Sequence, residues 1–228
     1  MLAPLAENLW EINRPLKAPG LRIDHRMTVV RLSTGELLIH SPVELDEPLV
    51  TALAALGPVR YFIAPSTFHD MYWPAWFSRY PRATFWGAPG LRETHPELPF
   101  HEVLIPGQQT PWQTELPKLF IAGMPRLNEY VFYHPATRSL IVADLVFNLS
   151  ADQGLLGKLI LKANASYGKV ACSRLFRAFI KDRKAFRQSV EEVLSWDFER
   201  VIVGHGENVM QDGKQVLRQA FRWLRPGA

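Results

Sequence analysis

The stretch Ser139–Asn148, SLIVADLVFN, decides how the rest of the chain reads. Leu140 to Ala143 lead up to one carboxylate, Asp144, and Leu145, Val146 and Phe147 follow it. A short apolar run of this kind predicts a core strand. A carboxylate set inside it is costly to bury unless something pairs with it or coordinates it. A second run, Arg200–Gly206 (RVIVGHG), ends in His205 held between Gly204 and Gly206. Flanking glycines let backbone come close while the imidazole projects. Strand-end Asp and His on tight turns are how an α/β fold presents metal ligands or an acid/base pair at one sheet edge.

The 228 residues are 47% hydrophobic and 21% charged, which suits a globular protein with a sizeable core. The 18 prolines and 14 glycines are spread along the chain and predict many short elements. With no internal repeat, low-complexity segment or clear linker, one domain over residues 1–228 is expected. No apolar run approaches the ~20 residues of a membrane span, so no transmembrane segment is expected. Glu7 and Glu11 interrupt the first apolar stretch, which does not follow a signal pattern. Cys172 is the single cysteine, which excludes an intramolecular disulfide and a Cys-based zinc cluster. Together these give a reduced, cytoplasmic location as the expectation.

The formal net charge of +4 is unevenly placed. Residues 151–187 carry nine Lys or Arg against Asp152 and Asp182, while the rest of the chain has 17 basic and 20 acidic residues. One basic segment on a near-neutral body points to a local anionic partner. Within it, Leu155, Leu156, Leu159 and Ile160, and later Leu175, Phe176, Phe179 and Ile180, recur at spacings that predict one apolar helical face. An ordinary surface helix pair with solvated lysines is the plainer reading. A functional one has the segment gating an anionic small-molecule substrate, or making peripheral contact with an anionic membrane surface. Nucleic acid is the weaker partner, because Tyr167, Phe176 and Phe179 read as core more than as stacking platforms.

Along the chain, Leu9–Ile12 predicts a short strand broken by Pro15 and Pro19. Met27–Leu32 and Glu36–Ser41 predict a hairpin around Ser33-Thr34-Gly35. Asp46 caps a helix that stops at Gly57, and Val59–Ala64 is a buried strand. Trp73–Tyr80 is helical, Thr84–Gly87 a strand, and His95 to Pro117 mostly loop with one short strand. Leu119–Ile121 and Glu129–Tyr133 are strands ahead of the opening stretch. Helices are then expected at Leu155–Lys162, Arg174–Lys181, Arg183–Trp196 and Gln211–Leu224, with the strand Arg200–Val203 among them. Two mixed sheets with helices outside, a four-layer αββα sandwich, satisfy this α/β order.

Four places gather groups that bind metals or move protons: His69-Asp70, Glu129, Asp144 and His205. All follow or open predicted strands, whose loops converge at one sheet edge in an α/β fold. Each has a plainer reading beside it: a turn for His69-Asp70, a solvated side chain for Glu129, a turn cap for Asp144, a structural imidazole for His205. His25, His40, His95, His101 and His134 are read as structural, with His40 kept in view because it ends a core strand beside Ser41-Pro42.

The succession LLIHSP, YFIAPSTFHD, NEYVFY, LIVADLVFN and VIVGHGE resembles the metallo-β-lactamase superfamily, and within it the family known as DUF4336. The resemblance covers most of the chain by order of elements. It implies that Asp144 stands at the superfamily's metal-bridging Asp and His205 at its last His ligand. His69-Asp70 falls where a His-rich motif belongs, with Pro65 or Ser66 and Thr67 or Phe68 in place of the first two His ligands. Glu129 lies near the third His, and His40 or Ser41 replaces the Asp of the first turn.

The resemblance therefore implies an incomplete, atypical metal site. His69, Asp70, Glu129, Asp144 and His205 are the available ligands for one divalent ion (zinc, iron or manganese), or for none. With a metal, water is the nucleophile and Asp144 or Asp70 the proton acceptor of a hydrolase acting on a small ester, thioester or amide. The alternatives are a non-catalytic relative that binds a ligand through the same edge, and a metal-dependent oxidoreductase.

Overall fold

Side chains that alternate between two faces organise the computed structural model, which describes residues 1–224. Strands β1 (Ala3–Ala6), β2 (Leu9–Ala18), β3 (Leu21–Arg31), β4 (Leu37–His40), β5 (Val59–Ala64), β6 (Thr84–Gly87) and β7 (Glu102–Val103) lie side by side in chain order. The first four pair antiparallel and β4 through β7 parallel. A second sheet has β8 (Lys118–Phe120), β9 (Tyr130–His134), β10 (Ser139–Ile141) and β11 (Arg200–Ile202) in the order β11-β10-β9-β8. Its β10–β11 pair is parallel and the others antiparallel, so both sheets are mixed.

The helices are α1 (Glu47–Leu56), α2 (Trp73–Arg79), α3 (Leu91–Thr94), α4 (Leu155–Ala163), α5 (Arg174–Arg177), α6 (Arg183–Val193) and α7 (Gly213–Ala220). Along β4 and β5, Leu37, Ile39, Phe62 and Ala64 pack outward against Leu49, Leu53, Trp73 and Trp76 of α1 and α2. The residues between them, Leu38 and Ile63, turn inward and meet Phe132, Ile141 and Ile202 of the second sheet. On that sheet's far face, Leu140, Val142 and Val201 pack against Phe186, Val190 and Leu217 of α6 and α7. The period of two along each strand thus builds three core layers between four structural ones, the expected αββα sandwich. Asp46 and Asp182 cap α1 and α6 as their sequence positions suggest, accepting from Leu49 N and Ala185 N at 2.9 Å.

Several elements differ in extent from the sequence reading. Strand β2 runs through Pro15, because Pro15 lies beyond the reach of β1, where a missing N–H is tolerated on an edge. Strand β3 begins at Leu21, six residues before the apolar run at Met27. Strand β10 ends at Ile141, and the chain through Asp144 bends, because the N–H groups of Ala143 and Asp144 are claimed by a side chain described below. Helix α5 stops at Arg177, and a 3-10 turn, Arg222–Leu224, replaces the last part of the closing helix. No helix among the described residues is long and apolar enough to cross a membrane.

Candidate metal centre

Three predicted residues meet at one end of the sandwich. His69 follows β5, Asp144 follows β10 and His205 follows β11, and all are buried. One ligand atom from each lies within 4.8 Å of the others. His69 Nε2 is 3.4 Å from Asp144 Oδ2, and His205 Nε2 is 3.4 Å from Asp144 Oδ1. Burial works against the Asp144 carboxylate, and only protonated His69 and His205 rings would outweigh it and hold its pKa below the usual carboxylate range.

The partners on the other side of each ring assign the protons. His205 Nδ1 lies 2.6 Å from the Asp24 carbonyl, which can only accept, so Nδ1 carries the proton and Nε2 offers a lone pair. His69 Nδ1 lies 2.5 Å from Ser41 Oγ, and Ser41 Oγ lies 2.9 Å from His25 Nε2. Ser41 can accept from His69 and donate onward to His25, which leaves His69 Nε2 as a second lone pair. That atom is buried without a hydrogen-bond partner. Two nitrogen lone pairs and a carboxylate that accepts from Ser66 Oγ at 2.9 Å then face one another. In this tautomer the buried set can hold a cation, and imidazoles whose far N–H is anchored to a carbonyl or hydroxyl are the arrangement of metal ligands. The donor set fits a metal ion such as zinc, iron or manganese.

Strand β3 holds this arrangement together. Its Arg26 donates to the carbonyls of Val203 and Gly206, its backbone N–H reaches Gly204 O at 2.9 Å, and its Nε lies 2.6 Å from Glu11 Oε2. The His205 loop is thereby fastened to the strand that supplies Asp24 and His25. The glycines beside His205 permit the close approach: a Cβ at Gly204 would lie 2.5 Å from Ala143 O. At Gly206, with φ +91°, it would lie 2.2 Å from Asn148 O.

The comparisons with known proteins agree with this architecture. The family model described as "Domain of unknown function (DUF4336)" matches residues 6–169. The chain belongs to the DUF4336 family. No curated protein matches the sequence. Among solved structures, the DUF4336 fold is similar to the DIM-1 metallo-β-lactamase, with a TM-score of 0.69 and 14% identity over 98% of this chain and 96% of that one. A metallo-β-lactamase from Pontibacter korlensis matches with a TM-score of 0.66 and 15% identity over 98% of both chains. The metal-soaked Flv1 flavodiiron core from Synechocystis matches with a TM-score of 0.66 and 12% identity, over 98% of this chain and 60% of that one. At these identities the likeness establishes the fold alone, that of the metallo-β-lactamases.

Two other sequence candidates are placed elsewhere in this DUF4336 chain. Asp70 follows His69 but its Oδ2 meets His95 Nε2 at 2.9 Å, on the outer side of the turn. Glu129 is fully buried behind Asp144, and its oxygens accept the N–H groups of Ala143 and Asp144 at 2.8 and 3.0 Å. It shapes the bend that presents Asp144 and has no free oxygen aimed at the group. Burial and the Asp144 charge raise its pKa well above the ordinary value, against the pull of those backbone N–H groups.

His40 is buried with both ring nitrogens unpartnered and its ring 5.3 Å from that of Phe132, between the sheets. Sequence reasoning took His25 as structural; it stands 4.7 Å from the His69 ring and 5.8 Å from the His205 ring. Burial, with His69 and His205 nearby, lowers its pKa well below the usual value, so it is neutral at physiological pH. The signal that could have found it is the alternation Leu21, Ile23, His25 ahead of Met27, which continues a strand through charged neighbours.

Proposed function

We propose that this chain is a metal-dependent hydrolase with a single-ion centre held by His69, Asp144 and His205. One observation carries the reading: His69, Asp144 and His205 converge, all buried, with one ligand atom of each within 4.8 Å of the others and His69 Nε2 without a hydrogen-bond partner. A divalent ion in that place supplies Lewis acidity, which makes a water acidic enough to lose a proton near neutral pH. The rest belongs to the chain's own residues. Asp144 has lone pairs beyond the one that Ser66 occupies, and these can take up a proton. The Asp24 carbonyl and Ser41 keep the rings of His205 and His69 in one tautomer. Asp70, paired with His95, has no part in this proton transfer.

The names of the structural neighbours, two metallo-β-lactamases among them, favour hydrolysis of a small amide, ester or thioester. The test is turnover of ester, thioester and amide probes by metal-loaded protein beside Asp144→Asn. The reading expects activity in the first and at least a hundredfold loss in the second; equal residual rates contradict it. A second reading, a metal-dependent oxidoreductase, draws on the likeness to the flavodiiron core and on a nitrogen–oxygen ligand set that also suits iron.

A further inference from the structure

We propose that helices α4 and α5 dock this protein on an anionic membrane surface. Four of the nine large apolar side chains exposed among the described residues sit here: Leu155, Leu156, Leu159 and Leu175 are 85%, 60%, 65% and 56% exposed. Helix α4 buries Gly157 and Leu161 against the body, so Leu155 and Leu159, one turn apart, point directly away from it. Lys158 and Lys162 occupy the adjoining positions of the same outward surface. The apolar spacing of α4 therefore belongs to two faces, one packed and one without a partner.

Helix α5 is joined to this surface through Asn164. That side chain donates to Ile160 O at 3.0 Å and accepts from Leu175 N at 3.3 Å, while Arg174 reaches Ala163 O at 3.2 Å. Between the two helices lies a cleft of about 160 Å³ walled by Leu21, Ile23, Ile160, Leu175 and Phe176. Its floor, Phe147, stacks on His205 at 5.4 Å, so the surface lies over the candidate metal centre. The proposal stands independently of what that centre does.

Charge decides the occupant. Helices α4 and α5 themselves carry Lys158, Lys162, Arg174 and Arg177 and no acidic side chain. A symmetric contact with a second copy would set these like charges against one another. A bilayer of anionic lipids offers the complementary sign along with apolar depth for the leucines, while the lysine stems lie along the boundary with their ammonium groups at the headgroups.

The test is co-sedimentation of the full chain with vesicles of equal parts phosphatidylglycerol and phosphatidylcholine, beside vesicles of phosphatidylcholine alone. Wild type is expected to partition onto the anionic vesicles only and to be released by high salt. The pairs Leu155→Ser with Leu159→Ser, and Lys158→Glu with Lys162→Glu, are each expected to lower that partition about tenfold. Leu155, Leu159 and Lys162 are exposed and Lys158 is half-buried at the flank of α4, and circular dichroism checks that the fold is kept. No partition at low salt, or partition that neither pair changes, overturns the proposal. So does a wild-type dimer in sedimentation equilibrium that the leucine pair converts to monomer, which would make a second copy the occupant.

Discussion

His205 Nε2 faces Asp144 Oδ1 at 3.4 Å with its own proton committed to the Asp24 carbonyl on the opposite side of the ring. With a neutral ring the pair can share a cation. Asp144→Asn keeps the shape and removes the charge, and it is expected to weaken zinc, iron or manganese binding at least a hundredfold while the fold remains. Competition titration with a metal indicator checks this; unchanged affinity would place the ion elsewhere.

Ser41 acts one step further out, through the His69 ring. Its backbone φ is +57°, a left-handed value that a residue with a side chain adopts at some cost, and its hydroxyl bridges His69 and His25. Ser41→Gly removes the hydroxyl but suits the backbone, and is expected to cost about 10- to 100-fold in metal affinity with little loss of stability. Ser41→Ala should show the same affinity loss and a lower unfolding midpoint. Comparing the two separates ring positioning from backbone strain.

The fastening of the His205 loop is expected to matter for stability. Arg26→Ala leaves Glu11 with Asn208 but without its cation, and the Val203 and Gly206 carbonyls without their side-chain donor, at an expected cost of about 3 kcal/mol. Gly204→Ala places a methyl against Ala143 O and is expected to cost about 1 to 3 kcal/mol. Urea unfolding measures both. Values near zero would mean that the loop is held by something else.

His40 predicts a pH dependence that can be isolated. Burial, with a smaller push from His69, lowers its pKa from 6.5 to about 3. The unfolded chain therefore takes up a proton below pH 6.5 that the folded one refuses until about pH 3, so stability falls with acidification across that window. Between pH 7 and pH 5 the loss due to this one group is about 2 kcal/mol. His40→Met, similar in volume and without unpaired nitrogens, should lose correspondingly less over the same interval. An identical acid slope in urea unfolding of the two proteins would refute the assignment.

Much of the fold was legible because it depends on patterns that survive in sequence. The apolar runs of Leu37–His40 and Val59–Ala64, and the Asp46 and Asp182 caps, specify strands and helix starts locally. The strand β3 segment Leu21–Arg26 was not legible, because its buried members His25 and Arg26 are polar and are stabilised only by partners far along the chain, Ser41 and the Val203–Gly206 loop. Residue type could nominate Glu129 and Asp70 as ligands, but direction separates them: one carboxylate turns to backbone N–H groups and the other to His95. Asp144 and His205 were readable because each sits in an apolar run where a polar group needs a reason. On α4, counting apolar residues at helical spacing could not reveal that Leu155 and Leu159 lie opposite the buried Leu161.

The most direct measurement is the metal content of protein purified without an affinity tag from cells grown with zinc, iron and manganese supplied. One equivalent of a single transition metal per chain is expected in wild type, and its loss in His69→Ala, Asp144→Asn and His205→Ala alike. A folded wild-type protein that carries no stoichiometric metal and takes up none on titration would contradict the account.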